Sequence, residues 1–459
     1  MKPLGSGRLA WWRKWTVRLT LVACVAVACY FYVLYQADAR LREVITRLDG
    51  DDPGWRLDEI EAARPQIPPG ENSALVVIAT RDLMADNWPP AEFGNAFADL
   101  TANSPLSDEE YGRLCNEMNE WGEALAAARK LTDMPRGRYR IVYTRPNLYL
   151  TRLGNEQKAR EAAHLLRYAA LRRAEEGDAD GALADCRAIV NSGRSIGDEP
   201  LMISQLIRHA CVSSGCVTAE RVLARGTPSP VALEALQKLL EDDDAFPDQW
   251  HGARGERACV HEMVGALQSG AVAFNQVSGG APVPAQRLIL PFVNPLFKYE
   301  HPRMLSLMTR IVDASKMPAR QQLEVEAAIE AEFRVMPQTA VLSRLLIPAV
   351  NKVSEASRRK HAYLRCVIAG LAAERYRRAH GAWPESLTDL VPEQLSAVPL
   401  DPFDDQPLRY LRLPGGIEIY SVGPDLKDDN GNLGTPGQQQ RTPGFDLGIR
   451  MWDPEERGR

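Results

Sequence analysis

The chain has 459 residues, of which 45% are apolar and 25% charged, with a formal net charge of −5. That length holds two or three domains with real cores, and the apolar and charged fractions are those of globular protein, which excludes a disordered chain. The slight acidity excludes a nucleic-acid binder, because affinity for phosphate needs a strongly basic surface.

Residues 1–18 carry Lys2, Arg8, Arg13, Lys14 and Arg18 and no acid, and Leu19 to Tyr35 then run apolar except for Thr20. The pattern predicts a membrane helix, completed by Trp15, Thr16 and Val17 with Arg18 snorkelling to the headgroups. Tyr30, Phe31, Tyr32 and Tyr35 suit the far interface. A cleavable signal peptide competes through Ala37-Asp38-Ala39, but the apolar run is long for one and ends in bulky aromatics. Leu21-Val22-Ala23-Cys24 has the form of a lipoprotein box, yet the apolar run continues past it. Basic residues before the run, against Asp38, Glu43, Asp49, Asp51 and Asp52 after it, predict a single-pass protein with its N-terminus inside and its bulk extracytoplasmic. Residues 1–36 are therefore read as a basic segment and transmembrane anchor.

Residues 37–105 read as a helical and proline-rich connector region. Ala39 to Leu48 continues as an amphipathic helix broken at Asp51-Asp52-Pro53-Gly54-Trp55, and shorter helices follow over Leu57–Ala63 and Glu71–Met84. Residues 106–340 read as a helical domain. It opens with a long helix, Asp108 to Thr132, capped by Ser107. Tyr139 to Tyr143 is β-like. Glu156–Glu176 and Asp180–Ser192 form a helix pair around Gly177 and Gly181, in which Ala182, Ala184 and Ala188 permit close approach. The pair looks like one tetratricopeptide unit, and a single copy carries no inference of peptide binding. Helices over Pro200–Leu223, Ser229–Leu240 and Glu256–Gln268 precede a loop, Ser278–Pro284, and an irregular stretch, Pro291–Pro302. Helical spacing resumes over Arg303–Ala314, Ala319–Phe333 and Val341–Lys352, the last running on through Ser354.

From Leu364 the chain reads as helix, loop, strand and strand. A helix through Leu371 to His380 is stopped by Gly381 and Pro384. Asp401-Pro402-Phe403, Pro407-Leu408-Arg409-Tyr410 and Ile417-Glu418-Ile419-Tyr420-Ser421-Val422-Gly423-Pro424-Asp425 follow. This order resembles the soluble domain of the major, G-type pseudopilin of bacterial type II secretion systems. The resemblance implies a helix with a small antiparallel sheet over residues 341–433, a non-enzymatic role, and protein partners in a secretion or pilus-like assembly of the envelope. The family's Gly-Phe-Thr-Leu-x-Glu-like leader motif is missing here, and about three hundred residues separate the anchor from this region. The resemblance therefore implies a module for folding or docking more than a polymer subunit. Residues 434–459, rich in Gly, Pro, Gln and Arg, read as a flexible tail. The fold class expected is mainly α with a C-terminal α+β domain.

Asp425, Asp428, Asp429, Asn430 and Asn432 gather hard oxygen donors of the kind calcium takes. They do not make an EF-hand: with Gly431 at the sharp turn, Leu426 falls where the first Asp belongs. The resemblance carries a calcium role onto Asp425 through Ser-x-Gly-x-Asp, and more loosely onto Asp428 and Asp429. The alternative is a solvated turn with Asn430-Gly431 in type I′ geometry. His209, Cys211 and Cys216, like Cys259 and His261, are close in sequence, but on a helix Cys211 and Cys216 point about 140° apart, so core positions are expected instead of a zinc site. Asp242-Asp243-Asp244 reads as a solvated turn. Arg358-Arg359-Lys360 and Arg375, Arg377 and Arg378 read as an exposed helix face. No Gly-x-Ser-x-Gly elbow, Walker loop or His-Glu-x-x-His is present, so no reaction is indicated. The competing function is an extracytoplasmic hydrolase with a site dispersed through the helical domain.

Overall fold

A computed structural model describes residues 6–97, 100–279, 286–434 and 444–458. Most of the predicted loop at 278–284 and residues 435–443 of the predicted tail lie outside the described residues.

The protein is mainly helical, with one small antiparallel sheet and one long apolar N-terminal helix. Helix α1, Ser6–Asp51, contains a window of mean hydropathy 2.1 with none of it buried, long and apolar enough to cross a membrane. It does not stop where the apolar run ends. Ala37 and Leu48 are buried against the body, so the predicted span and the predicted amphipathic helix form one rod.

Short helices α2 (Leu57–Ala63), α3 (Ser73–Asp82), α4 (Ala91–Ala96), α5 (Asp108–Glu120) and α6 (Gly122–Ala128) follow. Ser107 caps α5 as expected, accepting from the Glu110 amide at 3.3 Å in a capping box. The single helix expected over Asp108–Thr132 is broken at Trp121, whose ψ of 24° leaves the helical region. The expected β-like run Tyr139–Tyr143 pairs with no strand among the described residues. Its entry is held by a side chain, since the Arg138 amide donates to Asn72 Oδ1.

Helices α7 (Gly154–Glu175), α8 (Ala179–Arg194) and α9 (Met202–Arg225) pack on one another. Glycine makes this approach close. A Cβ on Gly193 would lie 2.8 Å from the Cys211 Cβ, and one on Gly215 would lie 2.7 Å from Val190. Helices α10 (Pro230–Asp244), α11 (Asp248–Ser269), α12 (Phe274–Ser278), α13 (Gln286–Ala314) and α14 (Ala319–Arg334) lead to α15, Val341–His380. The stretch expected to be irregular, Pro291–Pro302, lies inside α13. Packing of α13 on α1 and α11 outweighs the cost of interior prolines. Helix α15 ends at Gly381, which adopts φ 77°, as the sequence predicts.

Strands β1 (Arg409–Leu413), β2 (Gly416–Ser421) and β3 (Leu447–Trp452) form the sheet in the order β1-β2-β3. Pro414-Gly415 makes the tight turn between the first two, with Gly415 at φ 83°. Strand β3 corrects the reading of residues 434–459 as a flexible tail. It pairs with β2 from Leu447 opposite Ser421 to Trp452 opposite Gly416, and Leu447, Ile449 and Met451 point into the core. One apolar core joins residues of α7 to α10 with Leu364, Val367, Leu371, Ile417, Ile419, Ile449 and Met451.

Candidate functional site

The motif residues of the C-terminal region converge on Asp401, which is completely buried. Its Oδ1 accepts from the Phe403 amide at 2.9 Å and the Ser421 hydroxyl at 2.8 Å. Its Oδ2 accepts from the Val422 amide at 2.9 Å and from Arg409 Nη1 at 2.8 Å. One carboxylate thus ties the Asp-Pro-aromatic segment to the start of β1 and the end of β2. Asp401→Asn turns one acceptor into a donor facing other donors, and should cost about 2–3 kcal/mol in denaturant unfolding.

The acidic loop after β2 is positioned by Asp446, a residue the sequence reading assigned to the tail. Asp446 is buried and accepts from the Gly431 amide at 2.8 Å and the Asp429 amide at 3.3 Å. Burial pushes its carboxyl up to about 6, with the Asp428 and Asp429 charges adding to the rise against those hydrogen bonds. Asp425 accepts from the Lys427 amide at 3.2 Å, and Asp428 Oδ1 from Tyr420 Oη at 3.1 Å and the Asn430 amide at 2.9 Å. The Oδ2 of Asp429 is buried without a hydrogen-bond partner. Asn430 and Gly431 take φ 57° and 78°, the signs a type I′ turn requires. Among the described residues no three His, Cys, Asp or Glu side chains are grouped to hold a metal ion.

A second cluster corrects two expectations. Asp243, read as part of a solvated turn, and Lys360, read on an exposed helix face, are both buried. Lys360 Nζ lies 2.8 Å from Asp248 Oδ2 and 3.3 Å from Asp243 Oδ2, and Arg208 also binds Asp243. His209 Nε2 lies 2.9 Å from Asp248, and His361 Nδ1 2.8 Å from Asp244, which Arg365 also holds at 2.9 Å. Arg358 is buried too, forked onto Glu326 at 2.7 Å. Burial alone would raise Asp243 and Asp248, but the Arg208 and Lys360 charges hold Asp243, and Lys360 with the His209 and His361 contacts hold Asp248, below the usual carboxylate range. Burial likewise would lower Lys360, and Asp248 and Asp243 raise it. The cluster locks α15 to α9, α10 and α11.

A third cluster joins α1 to the body. Asp52 accepts from Arg254 Nε at 3.0 Å and from Arg257, while the indole of fully buried Trp55 donates to Asp49 at 2.9 Å. Beneath Trp55, His261 Nδ1 and His301 Nε2 are 2.9 Å apart, a contact that needs one donor and one acceptor. Burial brings His261 down to about 4 and His301, which also feels the His261 charge, to about 3. Both fall below the ordinary value of 6.5, so the unfolded chain binds more protons. Their stabilisation is complete above pH 6.5 and is lost as pH falls toward 4 and then 3, at most about 1.4 kcal/mol per pH unit for each group. His361 runs the other way: its hydrogen bonds to Asp244 and Asp248 overcome burial and the Lys360 charge and raise it, so its share fades as pH rises past the raised value. Melting temperature should therefore drop between pH 6.5 and 4, and His301→Gln should flatten that drop.

All eight cysteines are free, and Cys186, Cys211, Cys216, Cys259 and Cys366 are buried, as core positions require. A pocket of about 140 Å³ is lined by Leu125, Arg129, Ala169, Arg172, Arg173 and Glu176. It is small for a metabolite site and contains no histidine. In the helical region the buried carboxylates Glu156 and Glu199 each leave Oε2 without a partner, and burial raises Glu199 to about 8. Comparison of the chain with known protein families, with characterised proteins and with solved structures finds no match in any of the three.

Proposed function

We propose that this is a single-pass, membrane-anchored scaffold protein that carries a pseudopilin G-like module from residue 341 onward, with β3 as part of it, and docks envelope proteins of a secretion or pilus-like assembly. The observation that carries the anchor is α1: its apolar half is unburied, and the same helix continues without a break into ion-paired contacts with the body. The module is supported by the motif residues themselves, since Asp401, Phe403, Ser421 and Val422 meet at one carboxylate. The basic flank of Arg13, Lys14 and Arg18 supports an N-terminus inside and a body across the membrane. Cross-linked purification of the full chain from membranes, with co-purifying proteins identified by mass spectrometry, tests the docking role. Enrichment of secretion or pilus-assembly subunits over an untagged control supports it, and recovery of the protein alone removes it.

Calcium at Asp425, Asp428 and Asp429 belongs to the same reading, and the unpartnered Asp429 Oδ2 is the feature that favours it. On this reading calcium raises the melting temperature relative to chelator. Equal melting curves remove the metal. The competing hydrolase reading rests on Glu199, a raised carboxyl of the type that serves as a general acid. A Glu199→Gln variant that abolishes a hydrolytic activity of the purified chain while folding normally would favour it over the scaffold.

A further inference from the structure

Helices α1 and α13 lie side by side and run in the same direction. Lys298 Nζ binds both Asp38 oxygens at 2.8 and 2.9 Å, the Arg40 guanidinium lies 5.8 Å from the Tyr299 ring centre, and Leu48 clusters with Leu305. Rising residue numbers on one helix therefore meet rising numbers on the other. Asp38 falls three positions beyond Tyr35, where the apolar run of α1 ends. Followed backward from Lys298, α13 descends toward the level of that run. At about 1.5 Å per residue, the twelve positions from Lys298 to Gln286 cover roughly 18 Å, against about 4.5 Å from Asp38 back to Tyr35.

Within this descending segment Leu288-Ile289-Leu290-Pro291-Phe292-Val293-Asn294-Pro295-Leu296-Phe297 holds no charged residue, and Arg287 stands before it. Val293 and Phe297 pack inward, Phe297 being buried. The opposite side is apolar as well, for Leu296 is 40% and Tyr299 44% exposed. A helix of a water-soluble body would carry polar residues there. Tyr299 between Arg40 and Arg303, at 5.8 and 5.4 Å, is an aromatic with cationic neighbours, the composition of a membrane interface.

We propose that residues 288–297 of α13 form a second lipid-contacting element, seated in the boundary of the bilayer that α1 crosses, on the side of the folded body. The inference rests on the reading of α1 as a span. The occupant is lipid because the surface is continuous with the span and in register with its end. Two contacts fix the tilt of the body against the membrane, where a single helix would leave it free to swing.

The test is a cysteine scan of residues 288–296 in the full chain, with exposed Cys24 and Cys29 and half-buried Cys115 replaced by serine and the protein reconstituted in phosphatidylcholine and phosphatidylglycerol vesicles. Nitroxide labels are compared for collision with oxygen, which concentrates in lipid, and with a water-soluble nickel complex. Tyr32→Cys reports the span and Val335→Cys the aqueous body. Several scanned positions should show an oxygen-to-nickel ratio several-fold above that at 335 and close to that at 32. Water-like ratios throughout the scan, with a lipid-like ratio at 32, overturn the inference and leave the span standing. Water-like ratios at 32 as well overturn both. Labels shielded from both reagents at 296 indicate a second copy or a protein partner on this face, and also overturn it.

Discussion

A chain truncated after Leu433 is expected to lose its folded C-terminal region. Strand β3 supplies one full edge of the three-stranded sheet, and its Leu447, Ile449 and Met451 are buried beneath α15. Each such side chain contributes about 1.5–3 kcal/mol on burial, so the three together approach the about 5–15 kcal/mol that holds a typical domain. The loss reaches further than the sheet, because Arg457 pairs with the buried Glu374 of α15 at 2.7 Å and binds the Gly226 carbonyl at 2.8 Å. Asp446, which holds the acidic loop, goes with it. Limited proteolysis and near-ultraviolet circular dichroism check this. A truncated chain as resistant and as well packed as the full one would contradict the placement of β3.

Lys360→Met is expected to destabilise the protein by about 3–5 kcal/mol in denaturant unfolding of the detergent-solubilised chain. The ammonium lies between two buried carboxylates, and its removal leaves Asp248 with two histidine rings, His209, whose pKa burial lowers, and His361. Length and apolar volume are kept, so the loss reports charge. Adding Asp248→Asn to Lys360→Met should recover part of the stability, whereas a merely steric defect would be additive. The sign with pH also follows: Asp243 and Asp248 are held below the ordinary carboxylate range, so what they contribute is complete above it and disappears as pH falls through their lowered values.

Local signals in the sequence give most of the helices. Ser107 before Asp108, and Gly381 after a helical run, mark true ends because capping and left-handed glycine are decided within a few residues. Burial of the charged residues has no such local sign. Asp243 and Lys360 are separated by 117 positions, and each alone looks like surface. Strand β3 was legible in principle, since Leu447, Ile449 and Met451 alternate with Gly448 and Arg450, but the Gly, Pro and Gln-rich stretch before it conceals the signal. The prolines of α13 read as breakers because propensity is local, while the packing that holds the helix comes from α1 and α11. In the C-terminal region, Asp401, Ser421 and Asp425 stand out by their motif, whereas Asp446 and Arg409 emerge only from contacts.

The anchor is tested most directly by alkaline carbonate extraction of cell membranes, comparing the full chain with residues 37–459. The account predicts that the full chain stays in the membrane pellet, as a chain anchored through α1 would, while the shortened chain is released into the supernatant. Release of the full chain by carbonate would contradict it.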